Sequence, residues 1–280
     1  MSANFFKIVT HTDKELGKLL GLCAGFETRI WRKQQLVDYI FEYIPEFALS
    51  YSECTNLTAS NMIRMFRNAV NNIYKSDKYK NRGEFGELIL HAILREVYNT
   101  IPAISKIYYK DGPNETVKGF DAVHVISNDG ELELWLGEVK FYSSISKAIS
   151  DVVSEIQGHT KTDYLRSEFV AITNKIDEKW PHAEKLQMLL DPNTSLDDVF
   201  EKACIPVLLT YDSTTISKHD SYSAQYVSEI KEEFNKHYET FKNAFTEGLP
   251  LEVHLFLLPL KTKADLVACI DKKLKDLQQI

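Results

Sequence analysis

Cysteine is scarce in this chain. Cys23, Cys54, Cys204 and Cys269 are far apart and show no CxxC spacing, which argues against a zinc ribbon or a disulfide framework and reads as buried free thiols of a cytoplasmic protein. No apolar run reaches the length of a transmembrane helix, and the N-terminus lacks the basic and apolar regions of a signal peptide, so no membrane association is expected. Low-complexity stretches and internal repeats are also missing, which excludes disordered and solenoid architectures. An excess of positive charge is missing too: 33 Lys and Arg stand against 40 Asp and Glu, for a net charge of −7. Phosphate contacts need Lys and Arg, so the whole surface cannot be a nucleic-acid grip. The balance is uneven along the chain, however. Lys75, Lys78, Lys80 and Arg82, then Lys106, Lys110 and Lys118, are basic stretches with few acids between, while acid concentrates at 177–202 and 229–239. Those lysines are either a solvated face or a basic rim around a cleft whose weak grip on DNA a partner supplements.

What is present suits a globular α/β protein, with 44% apolar residues in a chain of 280, long enough for one elaborated domain or two small ones. Residues 4–9 have the pattern of a short strand. From 13 to about 80 the pattern reads as helical, with Leu16, Leu19, Leu20 and Cys23 and then Leu36, Tyr39, Ile40 and Tyr43 as apolar stripes, Pro45 as a break, and a further helix over Asn61–Tyr74. This divides the chain into a mostly helical region, 1–79, and a second region, 80–280. Beyond it, Ser143 is a good N-cap for a helix carrying Ile145, Ala148, Ile149, Val152 and Ile156, and more helix is expected over 161–190. The near-continuous apolar runs 205–211 and 251–258 predict strands buried on both faces. The charged amphipathic stretch 224–245 between them makes parallel pairing the default. Residues 264–277 close the chain as a helix. The sum is a mixed central sheet flanked by helices.

The most specific pattern is a hairpin. Residues 120–126 and 131–142 are rich in Val, Leu, Phe, Trp and Tyr, and Asp129-Gly130 between them is a strong hairpin signal. With those two residues as the turn, paired positions sum to 259, which sets Asp121 opposite Glu138. Directly opposed side chains have Cβ atoms about 4.5–5.5 Å apart, close enough for both carboxylates to bind one divalent cation. Lys140 keeps to the same face by the period of two, as do Val123, Val125, Leu134 and Leu136. His124 points to the opposite face and is not counted as a ligand. A hard cation such as Mg²⁺ relieves the repulsion between two carboxylates, lowers the pKa of a bound water and offsets charge on a phosphodiester. The adjacent lysine can position or deprotonate that water, or stabilise the transition state. The alternative is a solvated hairpin with ordinary surface charges, but the strand around Glu138 and Lys140 is mostly apolar. A third acid can come from upstream, where Phe85, Leu88, Ile89, Ala92 and Ile93 form one helical stripe and Glu84, Glu87, His91 and Arg95 another. Beside a metal site Glu87 is the more attractive ligand, with Glu84 close behind.

Gly-Glu-x-Gly-Glu on a first helix, Gly119-Phe120-Asp121 on a strand and Glu138-Val139-Lys140 on the next resemble the PD-(D/E)XK nuclease superfamily. More narrowly, residues 82–142 are similar to the nuclease subunits, HamA, of the Hachiman anti-phage defence system. The resemblance implies a restriction-endonuclease-like core, with Asp121 and Glu138 as metal-binding acids, Lys140 as the catalytic lysine and Glu87 or Glu84 as the first-helix acid. It also implies Mg²⁺- or Mn²⁺-dependent cleavage of DNA and a superfamily 2 helicase subunit (HamB-like) that holds the nuclease in check. Phe120 stands where the superfamily has proline, and Gln157 matches its helix glutamine only by rough location. A noncatalytic docking subunit of a helicase complex, or a nuclease acting on RNA, remains an alternative.

Overall fold

The computed structural model describes residues 4–73, 83–105, 119–246 and 248–279. The basic residues Lys75, Lys78, Lys80, Arg82, Lys106, Lys110 and Lys118 lie outside them. A hairpin of β1 (Lys7–Lys14) and β2 (Gly17–Cys23) is followed by a two-stranded ribbon, β3 (Phe26–Glu27) and β4 (Ile30–Trp31). Four helices come next: α1 (Lys33–Phe41), α2 (Ile44–Ala48), α3 (Tyr51–Thr55) and α4 (Met62–Ile73). Then follow α5 (Glu84–Tyr98), β5 (Ile101–Ser105), β6 (Ala122–Asn128), β7 (Glu131–Phe141), α6 (Ile145–His159), α7 (Thr162–Thr173), α8 (Ala183–Leu189) and α9 (Leu196–Phe200). The rest is β8 (Ala203–Asp212), α10 (Thr214–Lys218), α11 (Ala224–Asn243), β9 (Glu252–Leu260) and α12 (Lys263–Gln278). Among the described residues no helix is long and apolar enough to cross a membrane.

Seven strands form one mixed sheet in the order β1-β2-β9-β8-β7-β6-β5, which is the architecture expected. β7, β8, β9 and β2 run parallel to one another, while β5, β6 and β7, and β1 and β2, pair antiparallel. The two apolar runs expected as buried strands are β8 and β9, paired in parallel with α11 between them in sequence. One expectation fails. Leu16–Cys23 is not helical, because residues 17–23 form β2 and hydrogen-bond to β9 within the main sheet. A continuous apolar run buried on both faces satisfies helical and strand spacing equally, and here Leu19, Leu20 and Leu22 are all fully buried. Gly21 marks the difference: a Cβ there would lie 2.3 Å from the Phe234 ring of α11, so the helix presses directly on the strand. Elsewhere the helix after β7 is capped by Ser144 rather than Ser143, and the helical stretch 161–190 is broken into α7 and α8.

Helices lie on both sides of β7. α5 covers one face, where a Cβ at Gly137 would meet Leu90 at 2.9 Å and one at Gly86 would meet Phe141 Cβ at 2.8 Å. α6 covers the other, with His159 reaching Glu138. At the amino ends of β7, β8 and β9, Glu15, Glu133, Glu201 and Glu252 line an acidic cavity of about 680 Å³.

The close approach of α5 to β7 can be tested by its sign. An exposed helical Gly→Ala change gains roughly 0.5–1 kcal/mol. Gly86→Ala is expected instead to destabilise by about 1–3 kcal/mol, because the new methyl meets the root of Phe141. Urea unfolding measures this, and a variant as stable as the parent or more so would contradict the packing.

Candidate active site

The hairpin closes as its spacing requires. Asp129 and Gly130 have φ of 49° and 91°, positive at both central positions as in a type I′ turn. Pairs run from Asn128↔Glu131 to Ala122↔Gly137 in the register that sums to 259. Asp121 extends the ladder by one step, its backbone N–H donating to the Gly137 carbonyl at 2.8 Å. Its carboxylate Oδ2 accepts from the Val139 N–H at 2.9 Å, which fixes the side chain against the end of β7. Gly119, at φ 138°, allows the chain to enter β6 against Glu168, whose Oε2 would lie 2.6 Å from a Cβ.

Glu138 is 2% exposed. Burial, with the charges of Asp121 and Glu155, pushes its pKa up to about 7, against the opposing effect of His159. His159 Nδ1 sits 2.6 Å from Glu138 Oε1. The imidazole is held in place by Tyr164, stacked at 4.2 Å, and by Phe120, edge-on at 5.3 Å. Phe120 therefore has a structural role of its own, packing on the His159 ring. Burial lowers the His159 pKa, but the Glu138 contact and neighbouring carboxylates outweigh it and the net shift is upward. Lys140 pairs with Glu155, one turn before His159 on α6. Burial works against the Lys140 ammonium, yet the Glu155 bond and the charges of Glu138 and Asp121 raise its pKa overall. It is thus held as a cation.

Glu87, Asp121 and Lys140 line one cavity of about 500 Å³, together with Val139 and residues 141–144, Lys147 and Lys263. Glu87 arrives from α5 on one face of the sheet, Asp121 and Lys140 from the other. Glu138 does not line the cavity; it is buried behind it, within electrostatic reach of Asp121. Glu84 does not line it either. His91 and Arg95 lie elsewhere. His91 is buried, 3.2 Å from both His124 and Glu46, and Arg95 bonds Glu46 at 2.9 Å, so α2 covers this part of the second stripe of α5. Gln157 donates to Thr246 at 3.3 Å, outside the site.

The model of the HamA family matches residues 3–274 of this chain. The chain belongs to the HamA family. HamA proteins are components of the Hachiman defence system. No curated protein matches the chain.

For a metal the HamA site offers oxygen donors only. Among the described residues no three His, Cys, Asp or Glu side chains form a ready-made ligand cluster. Two carboxylates on a polar cavity suit Mg²⁺, which keeps several waters and takes one or two carboxylates. The acids facing the cavity are Glu87 and Asp121, with Glu138 behind. Sequence patterns do not single out Glu155 and His159. The available signal is their i, i+4 spacing on the helix after the Glu-x-Lys strand.

The raised carboxyl sets a pH dependence. Glu138 moves from 4.5 to about 7 on folding, so its contribution is fully present below 4.5 and is lost as pH rises through about 7. His159, also raised, acts in the same direction. Metal-free protein is expected to lose stability between pH 5 and about 8 in urea titrations, and Glu138→Gln to flatten that decline. Equal slopes for both proteins would refute the assignment.

Proposed function

We propose that this HamA family member is a Mg²⁺- or Mn²⁺-dependent DNA endonuclease, the effector of its defence system, controlled by a superfamily 2 helicase partner. One observation carries the reading: Glu87, Asp121 and Lys140 meet on a single cavity, with the raised carboxyl of Glu138 behind them. Glu87 and Asp121, supported by Glu138, would hold the ion, which when bound supplies a water of lowered pKa and offsets charge on the phosphodiester. Lys140 enters as a cation. Its raised pKa suits stabilising the extra negative charge of the transition state and not abstracting a proton. His159 orients Glu138 and keeps it from swinging into solvent. Glu155 holds Lys140 in the resting chain, so the lysine must exchange a carboxylate for a phosphate when substrate enters. The helicase partner follows from the family resemblance alone.

The docking alternative has an observation of its own, namely the lack of a ready-made ligand cluster among the described residues. Plasmid cleavage in Mg²⁺ separates the two readings. Purified chain, or its complex, is expected to nick plasmid, and Glu138→Ala or Lys140→Ala to lower the rate at least roughly 100-fold while keeping the circular dichroism spectrum. Mg²⁺ is also expected to raise the melting temperature of the parent and not of Asp121→Ala. Unchanged cleavage in both alanine variants would sink the nuclease reading, and a melting temperature indifferent to Mg²⁺ would favour the docking one. The same preparation, offered single-stranded RNA, single-stranded DNA and duplex DNA, is expected to prefer DNA.

A further inference from the structure

The cavity that holds Glu87, Asp121 and Lys140 continues past them, along Tyr142, Ser143 and Ser144, to Lys147 and Lys263. These two lysines come from distant parts of the sequence. Lys147 lies in the first turn of α6, which follows β7, and Lys263 is the first residue of α12, which follows β9. β7 and β9 both run parallel to β8, so their carboxyl ends open on the same edge, where open α/β sheets bind ligands.

Neither lysine is held as most surface lysines are. The Lys147 ammonium lies 5.4 Å from the centre of the Tyr142 ring, and that of Lys263 lies 4.9 Å from Phe141 and 5.8 Å from Tyr142. Among the described residues neither ammonium forms an ion pair, whereas Lys140 beside them pairs with Glu155. Asp212 is the carboxylate that acts on Lys263, but its Oδ1 accepts the Lys263 backbone N–H at 2.6 Å. An aromatic face orients an ammonium without using its N–H groups, and all three remain available to an acceptor. Two such cations on one polar cavity call for an anion with several oxygens. The acids at the far end of the same cavity disfavour a free carboxylate and admit a longer ligand whose charges are spaced along it. A nucleic-acid strand has that spacing.

We propose that Lys147 and Lys263 form a phosphate-binding subsite, which seats the phosphate of a nucleotide flanking the bond to be cut. Its position beside the bond to be cut rests on the nuclease reading; the phosphate contact does not require cleavage. The subsite sets the path of a strand through the cavity, from the acids at the start of β6 and the carboxyl end of β7 towards the start of α12. It also places positive charge next to the chemistry in a chain whose total is −7.

The test is oligonucleotide binding by the full chain in EDTA, followed by fluorescence anisotropy at several salt concentrations. Lys147→Gln/Lys263→Gln is expected to weaken binding about tenfold and to make the log K against log salt slope shallower by about 0.7–0.9, the loss of one phosphate contact. Lys147→Arg/Lys263→Arg is expected to bind as the parent does, and all three proteins to melt at the same temperature. In Mg²⁺ the Gln pair should raise KM more than it lowers kcat. Oligonucleotides with 5′-phosphate, with 5′-hydroxyl and closed into circles identify the source of the phosphate. Equal losses on all three assign an internal phosphate, and a loss confined to the 5′-phosphate assigns a chain end; either upholds the subsite. Unchanged affinity and slope in the Gln pair would overturn it, as would no binding by the parent. The nuclease reading fails separately, if plasmid stays intact while binding still depends on these lysines.

Discussion

Glu138 lies almost wholly buried on β7, an interior strand of a seven-stranded sheet, where an ionised carboxylate without compensation costs of order several kcal/mol. Much of the surrounding structure answers that cost. His159 bonds the carboxyl, Tyr164 and Phe120 hold the imidazole, and the pair can share one proton at neutral pH. Lys140, two residues on, has its own counter-charge in Glu155. The partners come from one face of α6, so the packing of a single helix neutralises both halves of the Glu-x-Lys motif. A core strand with Leu or Val at 138 would need none of this. The arrangement is more easily understood as a site than as a device for stability.

Assembly of the cavity depends on contact from both sides of the sheet. α6 meets one face, and α5 meets the other closely enough that Gly86 and Gly137 leave no room for a methyl group without displacement. That approach carries Glu87 over the end of β7 to join Asp121 and Lys140. Each contributor is ordinary in its own element. The cavity lining appears only where a helix start, the end of a hairpin and a strand end coincide.

Local patterns are the legible part of this chain. The turn chemistry of Asp129-Gly130 and the period of two set the hairpin register from the amino acids alone, because both act between residues close in sequence. The parallel pair β8 and β9 is readable for a similar reason, since double-sided burial leaves an unbroken apolar run. What escapes a sequence reading depends on packing at long range. β2 reads as helix because its burial comes from β9 and α11, more than 200 positions away. Glu155 and His159 sit beside the apolar stripe of α6, and counting apolar positions passes over them. Lys147 and Lys263 are joined only by the common direction of β7 and β9.

The acidic cavity at the amino ends of the parallel strands gives the molecule an electrical polarity. One end of the parallel strands carries Glu15, Glu133, Glu201 and Glu252, and the other carries Lys140, Lys147 and Lys263 among the acids Glu87 and Asp121. At about 3.3 Å per residue, the length of β8 separates them by roughly 30 Å, several Debye lengths at physiological ionic strength. On the nucleic-acid reading proposed above, a polyanion would meet carboxylates at the first cavity and lysines interspersed with carboxylates at the second. The uneven distribution of charge, and not its total, would then turn the second cavity towards the strand before any contact forms.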